Sequence, residues 1–279
     1  MNVDLASGPA WLFCPANRPE RYAKAADAAD VVIIDLEDGV SPSARPSARD
    51  ALARESDALD PGRTVIRINP LGTADHQQDL ALLTRLPFKV VMLSKAESAA
   101  QLRRLDDFDV VALCETPAGV RAAGEMAAED NCAALMWGAE DLIAALGGLS
   151  SRDETGLYRG VAAHARNEVL LAAGAARTAV LDSVYLDIAD LEGLRRESAD
   201  AAASGFTAKA CIHPTQVAVV RDAFRPAPAE LDWAEHVLSA VEANPGGVFT
   251  LNGHMIDEPL IKQARRIAAR SLAIPTPAT

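Results

Sequence analysis

The sequence contains no apolar run of about twenty residues, so no membrane-spanning helix is expected. Its first residues, MNVDLASGPAWLFCP, show no basic region followed by an apolar stretch, so no secretory signal is expected either. Basic residues are in deficit, with 27 Lys and Arg against 39 Asp and Glu and a net charge of −12. That balance argues against a general nucleic-acid-binding role, although a local basic patch can still hold phosphates. The four cysteines, Cys14, Cys114, Cys132 and Cys211, have no CxxC spacing. Three fall in predicted strands and read as small core residues of a cytoplasmic protein, not as metal ligands or disulfides. No GxGxxG follows the first strand, which weakens a dinucleotide-binding reading. The five histidines form neither HxH nor HExxH, which argues against zinc.

What the chain does have is alternation. Its 279 residues, 49% of them apolar, suffice for one large barrel or two ordinary domains. Strand-type runs are predicted at Trp11–Cys14, Val31–Leu36, Thr64–Asn69, Val90–Leu93, Val110–Cys114, Ala133–Trp137, Ser183–Leu186 and Phe206–Ile212. VVIIDL lacks any polar alternation, as expected of a strand buried on both faces. Helical segments separate the runs, among them Pro19–Ala29, Asp75–Leu86, Pro117 to about Ala128, Val161–Ala176, Leu191–Ser204 and Thr215–Ala223. Eight strand–helix units are complete by about Phe224, which argues for an α/β fold of the (β/α)8 TIM-barrel type over residues 1–224. The long loop GGLSSRDETGLYRG is expected to lie over the site. Residues 225–279 are a C-terminal helix–hairpin–helix extension. It comprises a helix at Pro228–Ala243, a turn at Gly246 and Gly247, a hairpin signal at Asn252-Gly253, a closing helix at Pro259–Ala273 and the tail IPTPAT.

The chemistry concentrates at predicted strand ends. Glu115 closes the fifth strand, and Glu140 and Asp141 follow the sixth. In a parallel barrel, successive strand ends lie side by side on one face. Two acids held there are expensive without a positive charge between them, which points to a hard divalent cation. Two carboxylates with room for waters suit Mg2+. The plain alternative is that the acids cap helices or face water. DLEDGV adds Asp35, Glu37 and Asp38 at the second strand end, where Asp35 or Glu37 can support a nearby cation and Asp38 suits a helix cap. Arg67, alone in TVIRIN, needs a partner. It pairs with Glu37 or Asp35, points at an anionic substrate, or does both. Lys95 and Lys209 are conceivable Schiff-base nucleophiles, against the simpler readings of charge balance for Lys95 and barrel wall for Lys209. His213 reads as structural. Arg18, Arg21 and Lys24 form a basic stripe beside the first strand's carboxyl end, either a phosphate seat or ordinary surface charge.

The segments LFCPANRPERYAKA, VVIIDLEDGV, RIN, ALCET, WGAEDL, IHPTQ and NGHMID together resemble the citrate lyase beta-subunit-like proteins of the HpcH/HpaI aldolase family, alongside malyl-CoA and citramalyl-CoA lyases. The resemblance spans nearly the whole chain. It implies a (β/α)8 barrel, a trimer or dimer of trimers, and Mg2+-dependent cleavage or formation of a carbon–carbon bond in a CoA thioester, with an oxo-acid as the other partner. It makes Glu115 and Asp141 the metal ligands, and so sets Glu115 against the substrate. It makes Arg67 the residue that binds substrate and stabilises the enolate. It makes Asp257, from a neighbouring subunit's extension, the catalytic acid/base. Ser94 departs from the pattern, where the family often has proline. Other readings are a citrate lyase beta subunit working on an acyl-carrier-protein thioester, a non-catalytic oligomeric scaffold, and a Schiff-base aldolase.

Overall fold

Strands without alternating polarity need cover on both faces, and this chain supplies it by closing its sheet. The structure, a computed structural model, describes residues 8–244 and 248–273. The first seven residues, the Gly246-Gly247 turn and the IPTPAT tail lie outside them. The barrel strands are β1 (Ala10–Pro15), β2 (Val31–Asp35), β3 (Thr64–Ile68), β4 (Val90–Leu93), β5 (Asp109–Cys114), β6 (Cys132–Trp137), β7 (Ala179–Asp182) and β8 (Ala208–Cys211). They pair in order, all parallel, and Trp11 pairs with Ala210 to close the ring. The helices around them are α1 (Tyr22–Ala28), α2 (Arg45–Glu55), α3 (Ala74–Leu83), α4 (Ala99–Leu102), α5 (Pro117–Arg121), α6 (Ala123–Ala127), α7 (Ala139–Ala145), α8 (Gly160–Ala176), α9 (Leu191–Ser204) and α10 (Pro214–Phe224). The expected (β/α)8 barrel is therefore present.

Two apolar layers follow from the strand period of two. Trp11, Ile33, Val65, Met92, Leu113, Met136, Leu181 and Ala210 fill the lumen. Their sequence neighbours Leu12, Ile34, Ile66, Val91, Leu135 and Cys211 pack outward against the helices.

The seventh strand departs from expectation. The strand is Ala179–Asp182, while Ser183–Leu186 runs as a loop. Asp182 looks like a strand breaker in the sequence but is fully buried. It accepts hydrogen bonds from Trp137 Nε1 (2.7 Å) and Arg166 Nε (3.0 Å), and Lys209 Nζ lies 3.1 Å away. Ser183 ends the strand by spending its own groups locally: its carbonyl accepts from Lys209 Nζ at 2.6 Å and its hydroxyl from the Ala139 amide at 3.3 Å. Strand β8 is shorter than expected because Gly205, in the left-handed region at φ +116°, ends α9, and the Phe206 amide still bonds back to Ala201.

The loop after α7 is tied down. Ser151 donates to Glu140 (2.6 Å), Arg152 pairs with Glu197 of α9 (2.7 Å), and Tyr158 packs edge-on to Trp137.

The C-terminal extension consists of α11 (Pro228–Ala243), a hairpin of β9 (Phe249–Leu251) and β10 (His254–Ile256), and α12 (Glu258–Ala273). The Asn252-Gly253 turn has both residues at positive φ, as a two-residue hairpin requires. The extension has its own small core of Ala234, Val237, Ile256, Ile261 and Ala264. Arg270 links it to the barrel by donating to the carbonyls of Ala202 (2.9 Å) and Phe206 (3.3 Å). Among the described residues no helix is long and apolar enough to cross a membrane.

The ionic group behind β7 yields a pH prediction. Burial opposes the Asp182 carboxylate, but Lys209, Arg166 and the Trp137 hydrogen bond outweigh it and hold its pKa below the ordinary value. A depressed carboxyl contributes stability that is present above the unfolded-state pKa, about 3.9, and lost as pH falls below it. Asp182→Asn should therefore cost roughly 3–5 kcal/mol at pH 7, because it strands buried cations. Thermal melts from pH 7 to pH 3 should show the gap to wild type closing at the acid end. A gap that stays constant would remove Asp182 from the pH dependence.

Candidate active site

The residues that follow the lumen layer form the mouth. Ile33, Val65 and Leu113 face the lumen, so Asp35, Arg67 and Glu115, two positions on, face it at the carboxyl end. Asp35 is buried and uses both oxygens twice. They accept Arg67 Nε at 2.7 Å and Nη2 at 2.6 Å, and the amides of Glu37 at 2.9 Å and Gly39 at 2.7 Å. Gly39 is required here, since a Cβ would sit 2.3 Å from Asp35 Oδ2. The fork leaves Arg67 Nη1 facing Glu37 Oε2 at 3.4 Å, with the guanidinium 4.8 Å above the Phe13 ring. Of the readings open for Arg67, pairing with Asp35 is the fully formed one, and Glu37 is its looser partner.

Glu115 is buried at the end of β5, and Thr116 then caps α5 by accepting the Gly119 amide at 3.0 Å. On the neighbouring strand, Gly138 passes so close that a Cβ would meet Glu115 Cβ at 2.7 Å and Oε2 at 3.0 Å. Asp141 follows in the first turn of α7. Burial, then the negative charge of Asp141, pushes the Glu115 carboxyl up to about 8.

Lys95 joins these groups. Its Nζ lies 2.5 Å from Glu37, 3.4 Å from Asp38, and 3.7 Å from both Glu115 and Asp141. Its backbone is left-handed, at φ +51°, and its amide donates to Glu115 Oε1 at 3.0 Å. Ser94 fastens the preceding turn by donating to the Ile68 carbonyl at 2.7 Å. Five carboxyl groups (Asp35, Glu37, Asp38, Glu115 and Asp141) thus converge on two cations, Arg67 and Lys95. The charge-balance reading of Lys95 fits this geometry. Burial disfavours its ammonium, but the Glu37 hydrogen bond and the charges of Glu115, Glu37 and Asp38 outweigh that and raise its pKa. Lys209, fully buried on Asp182 and Glu197, is likewise held protonated against burial. Neither amine is the free base that a Schiff-base nucleophile needs. Among the described residues no three His, Cys, Asp or Glu side chains form a ready metal cage. The mouth offers two carboxylates and no imidazole or thiolate, oxygen donors that suit Mg2+ better than zinc.

Other residues singled out by sequence lie apart. Arg21 and Lys24 line a cleft of about 460 Å³ with Phe13, Cys14, Ile212 and His213, between the ends of β1 and β8. Arg18 is outside that lining, with its Nε on Glu20 at 2.6 Å, so the expected stripe of three is reduced to two residues at the cleft. His213 caps α10, its Nδ1 accepting the Thr215 amide at 3.3 Å. Asp257 caps α12, its carboxylate accepting weakly from Leu260 at 3.4 Å. Among the described residues it makes no hydrogen bond or ion pair with the mouth. Sequence reasoning assigned no part to Gly138 or Gly39. Their signal was position: Gly39 directly follows the acids of DLEDGV, and Gly138 lies between the end of β6 and the acids Glu140 and Asp141.

Residues 10–214 match the HpcH/HpaI aldolase/citrate lyase family. The chain belongs to that family. Its chemistry is therefore that of a carbon–carbon lyase. A citrate lyase subunit beta-like protein of Mycobacterium tuberculosis is 53% identical over 95% of this chain and 96% of its own length. The mitochondrial citramalyl-CoA lyase of Mus musculus is 31% identical over 95% of this chain and 86% of its own. The crystal structure of protein CitE from Mycobacterium tuberculosis, in complex with magnesium, acetoacetate and coenzyme A, superimposes with a TM-score of 0.91 at 53% identity. It covers 96% of this chain and 99% of that one.

The close approach at Gly138 gives a stability prediction. Gly138→Ala should cost about 1–3 kcal/mol in denaturant titration, as overpacking against Glu115, whose Cβ and Cα leave the added methyl no room. Gly124→Ala, in α6 with nothing within 4 Å, should be neutral or stabilising. Equal stabilities for the two variants would mean that the β6 end yields freely.

Proposed function

We propose that the protein is a magnesium-dependent acyl-CoA lyase. It breaks a 3-hydroxyacyl-CoA such as citramalyl-CoA or malyl-CoA into acetyl-CoA and an oxo-acid, or joins them. The observation that carries this reading is the paired acids Glu115 and Asp141 at the mouth, facing too few cations, in a family member whose close relative was crystallised with magnesium, an oxo-acid and coenzyme A. Glu115 and Asp141 would hold the ion. Bound magnesium supplies a Lewis acid and a template for the oxo-acid's carboxylate and carbonyl oxygens.

The chain's own groups supply the rest. Arg67, locked by Asp35, presents a fixed donor edge to the oxygen that becomes the thioester enolate, and needs no reorganisation to do so. The closed apolar lumen beneath excludes water, which strengthens that charge contact. The 3-hydroxyl gives up its proton as the carbon–carbon bond breaks and its oxygen becomes the oxo-acid's carbonyl; Asp257 gives a proton to the enolate carbon, or removes one from the acetyl methyl in the synthetic direction. Arg21 and Lys24, with Arg18 at their outer edge, draw the coenzyme's phosphates to the cleft between β1 and β8. The family resemblance assigns Asp257, which caps a helix of the extension, to a neighbour's barrel in a trimer or dimer of trimers. A carrier-protein thioester is the second reading, supported by the citrate lyase beta-like relative.

A panel of 3-hydroxyacyl thioesters, on coenzyme A and on carrier protein, tests this with and without Mg2+. Acetyl-CoA release should require the metal, and Glu115→Gln should abolish it in a folded protein. Full turnover in excess chelator would sink the reading, while turnover only on carrier protein would select the second one.

The shared site has its own test. Asp257→Asn and Glu115→Gln should each be inactive alone. Mixed and reassembled, they should recover part of the activity, because some sites then join an intact mouth to an intact Asp257. No recovery after verified subunit exchange would place Asp257 in cis or outside the reaction.

A further inference from the structure

Lys95 does more at the mouth than neutralise charge. It is one of three non-glycine residues at positive φ among the described residues, and the other two end a helix and turn a hairpin. A left-handed lysine is unfavourable unless its surroundings hold it there. Here the conformation brings both donors of one residue onto one target. The amide reaches Glu115 Oε1 at 3.0 Å, and the ammonium lies 3.7 Å from the same oxygen. The ammonium is also 3.7 Å from Asp141, so it stands between the two acids that would hold a metal ion. Its nearest partners are nevertheless Glu37 at 2.5 Å and Asp38 at 3.4 Å, which anchor it beside those two acids. Its side chain is 32% exposed, so the ammonium is open to solvent on one side.

We propose that Lys95 is the resident counter-cation of the metal seat: its amide positions Glu115, and its ammonium, anchored on Glu37, lends its charge to Glu115 and Asp141 until a divalent cation takes over that charge and drives the ammonium off the two acids onto Glu37 and Asp38 alone. The inference rests on the magnesium reading above. It makes Lys95 a positioning residue and a competitor for the site at once. A cation bound by Glu115 and Asp141 repels an ammonium a few ångströms away, and the two acids cannot serve both fully. The ammonium keeps the mouth assembled in the absence of metal, and the need to displace it lowers the protein's affinity for metal below what the acids alone would give.

The two functions separate by substitution. Lys95→Gly keeps the left-handed amide at no steric cost and removes the ammonium. Lys95→Arg keeps a positive charge, and Lys95→Met serves as a second neutral variant should the glycine form fail to fold. Calorimetric titration with Mg2+ on full-length protein is the readout, paired with thermal melts in chelator. The neutral variants should bind Mg2+ about tenfold more tightly than wild type or better, as removal of one close like charge predicts. Their metal-free melting temperature should fall and their metal-bound one should not, widening the gap that Mg2+ closes. Lys95→Arg should stay near wild type in both. An affinity that is unchanged or weakened in the neutral variants would overturn the role given to Lys95. Wild-type protein that binds no Mg2+ would overturn the metal reading itself, and this inference with it.

Discussion

The Asp35–Arg67 fork is the contact on which the mouth depends. It is a bidentate pair between adjacent strands, it is buried, and it uses every lone pair that Asp35 can offer to the turn above it. Such a pair contributes little net stability, because desolvating two ions costs about as much as their attraction returns. What it gives is direction. With Nε and Nη2 engaged by Asp35, the guanidinium cannot rotate, and its remaining edge is fixed over the lumen beside Glu37. The parallel barrel then brings Glu115, two strands away, to the same mouth, by the same parity that places Ile33, Val65 and Leu113 in the lumen. The mouth is thus assembled by strand period, with each acid placed against a cation or another acid before any ligand arrives.

A second ionic layer stands behind the wall and faces the helices. Lys209, Asp182, Arg166, Glu197 and Asp200 form a continuous chain of pairs between β7, β8, α8 and α9. Arg152 and Tyr158 extend it into the loop after α7 through Glu197, and Trp137 joins it from the end of β6. The strand that leads to Asp141 is therefore clamped from outside the barrel by Asp182, while Glu115 faces it from inside across Gly138. Each layer fixes one side of the same strand–helix turn.

These layers also explain what was legible in the sequence. The barrel was legible because its evidence is cumulative: eight apolar runs, each too short and too uniform for a helix, separated by helical spacing. The gathering of Glu115, Asp141 and Arg67 at one mouth was legible because charges at or just after buried strands need a reason. The seventh strand was misplaced by four residues because Asp182 resembles a turn residue until its partners are known. Those partners, Trp137, Arg166 and Lys209, come from three other elements. Arg18 was grouped with Arg21 and Lys24 on the assumption of one continuous helix. A short 3-10 turn at Pro19–Arg21 precedes α1 instead, and Arg18 bonds to Glu20. The backbone of Lys95 was not legible at all, since a left-handed lysine leaves no mark in composition or spacing.

That conformation points to how the mouth divides stability from chemistry. A carboxyl pushed up to about 8 by burial and by a neighbouring acid is a cost carried by the metal-free fold. So is a lysine in the left-handed region, and so is a glycine at the β6 end where any side chain would clash with Glu115. The three costs fall on one carboxylate and come from three different strand ends. No single one of them improves packing, because relieving any one would move Glu115 off the position the other two define. A fold selected for stability alone would put an apolar residue there and lose nothing from its core, which is complete one layer below. Their convergence on one oxygen pair supports the binding role proposed for Glu115.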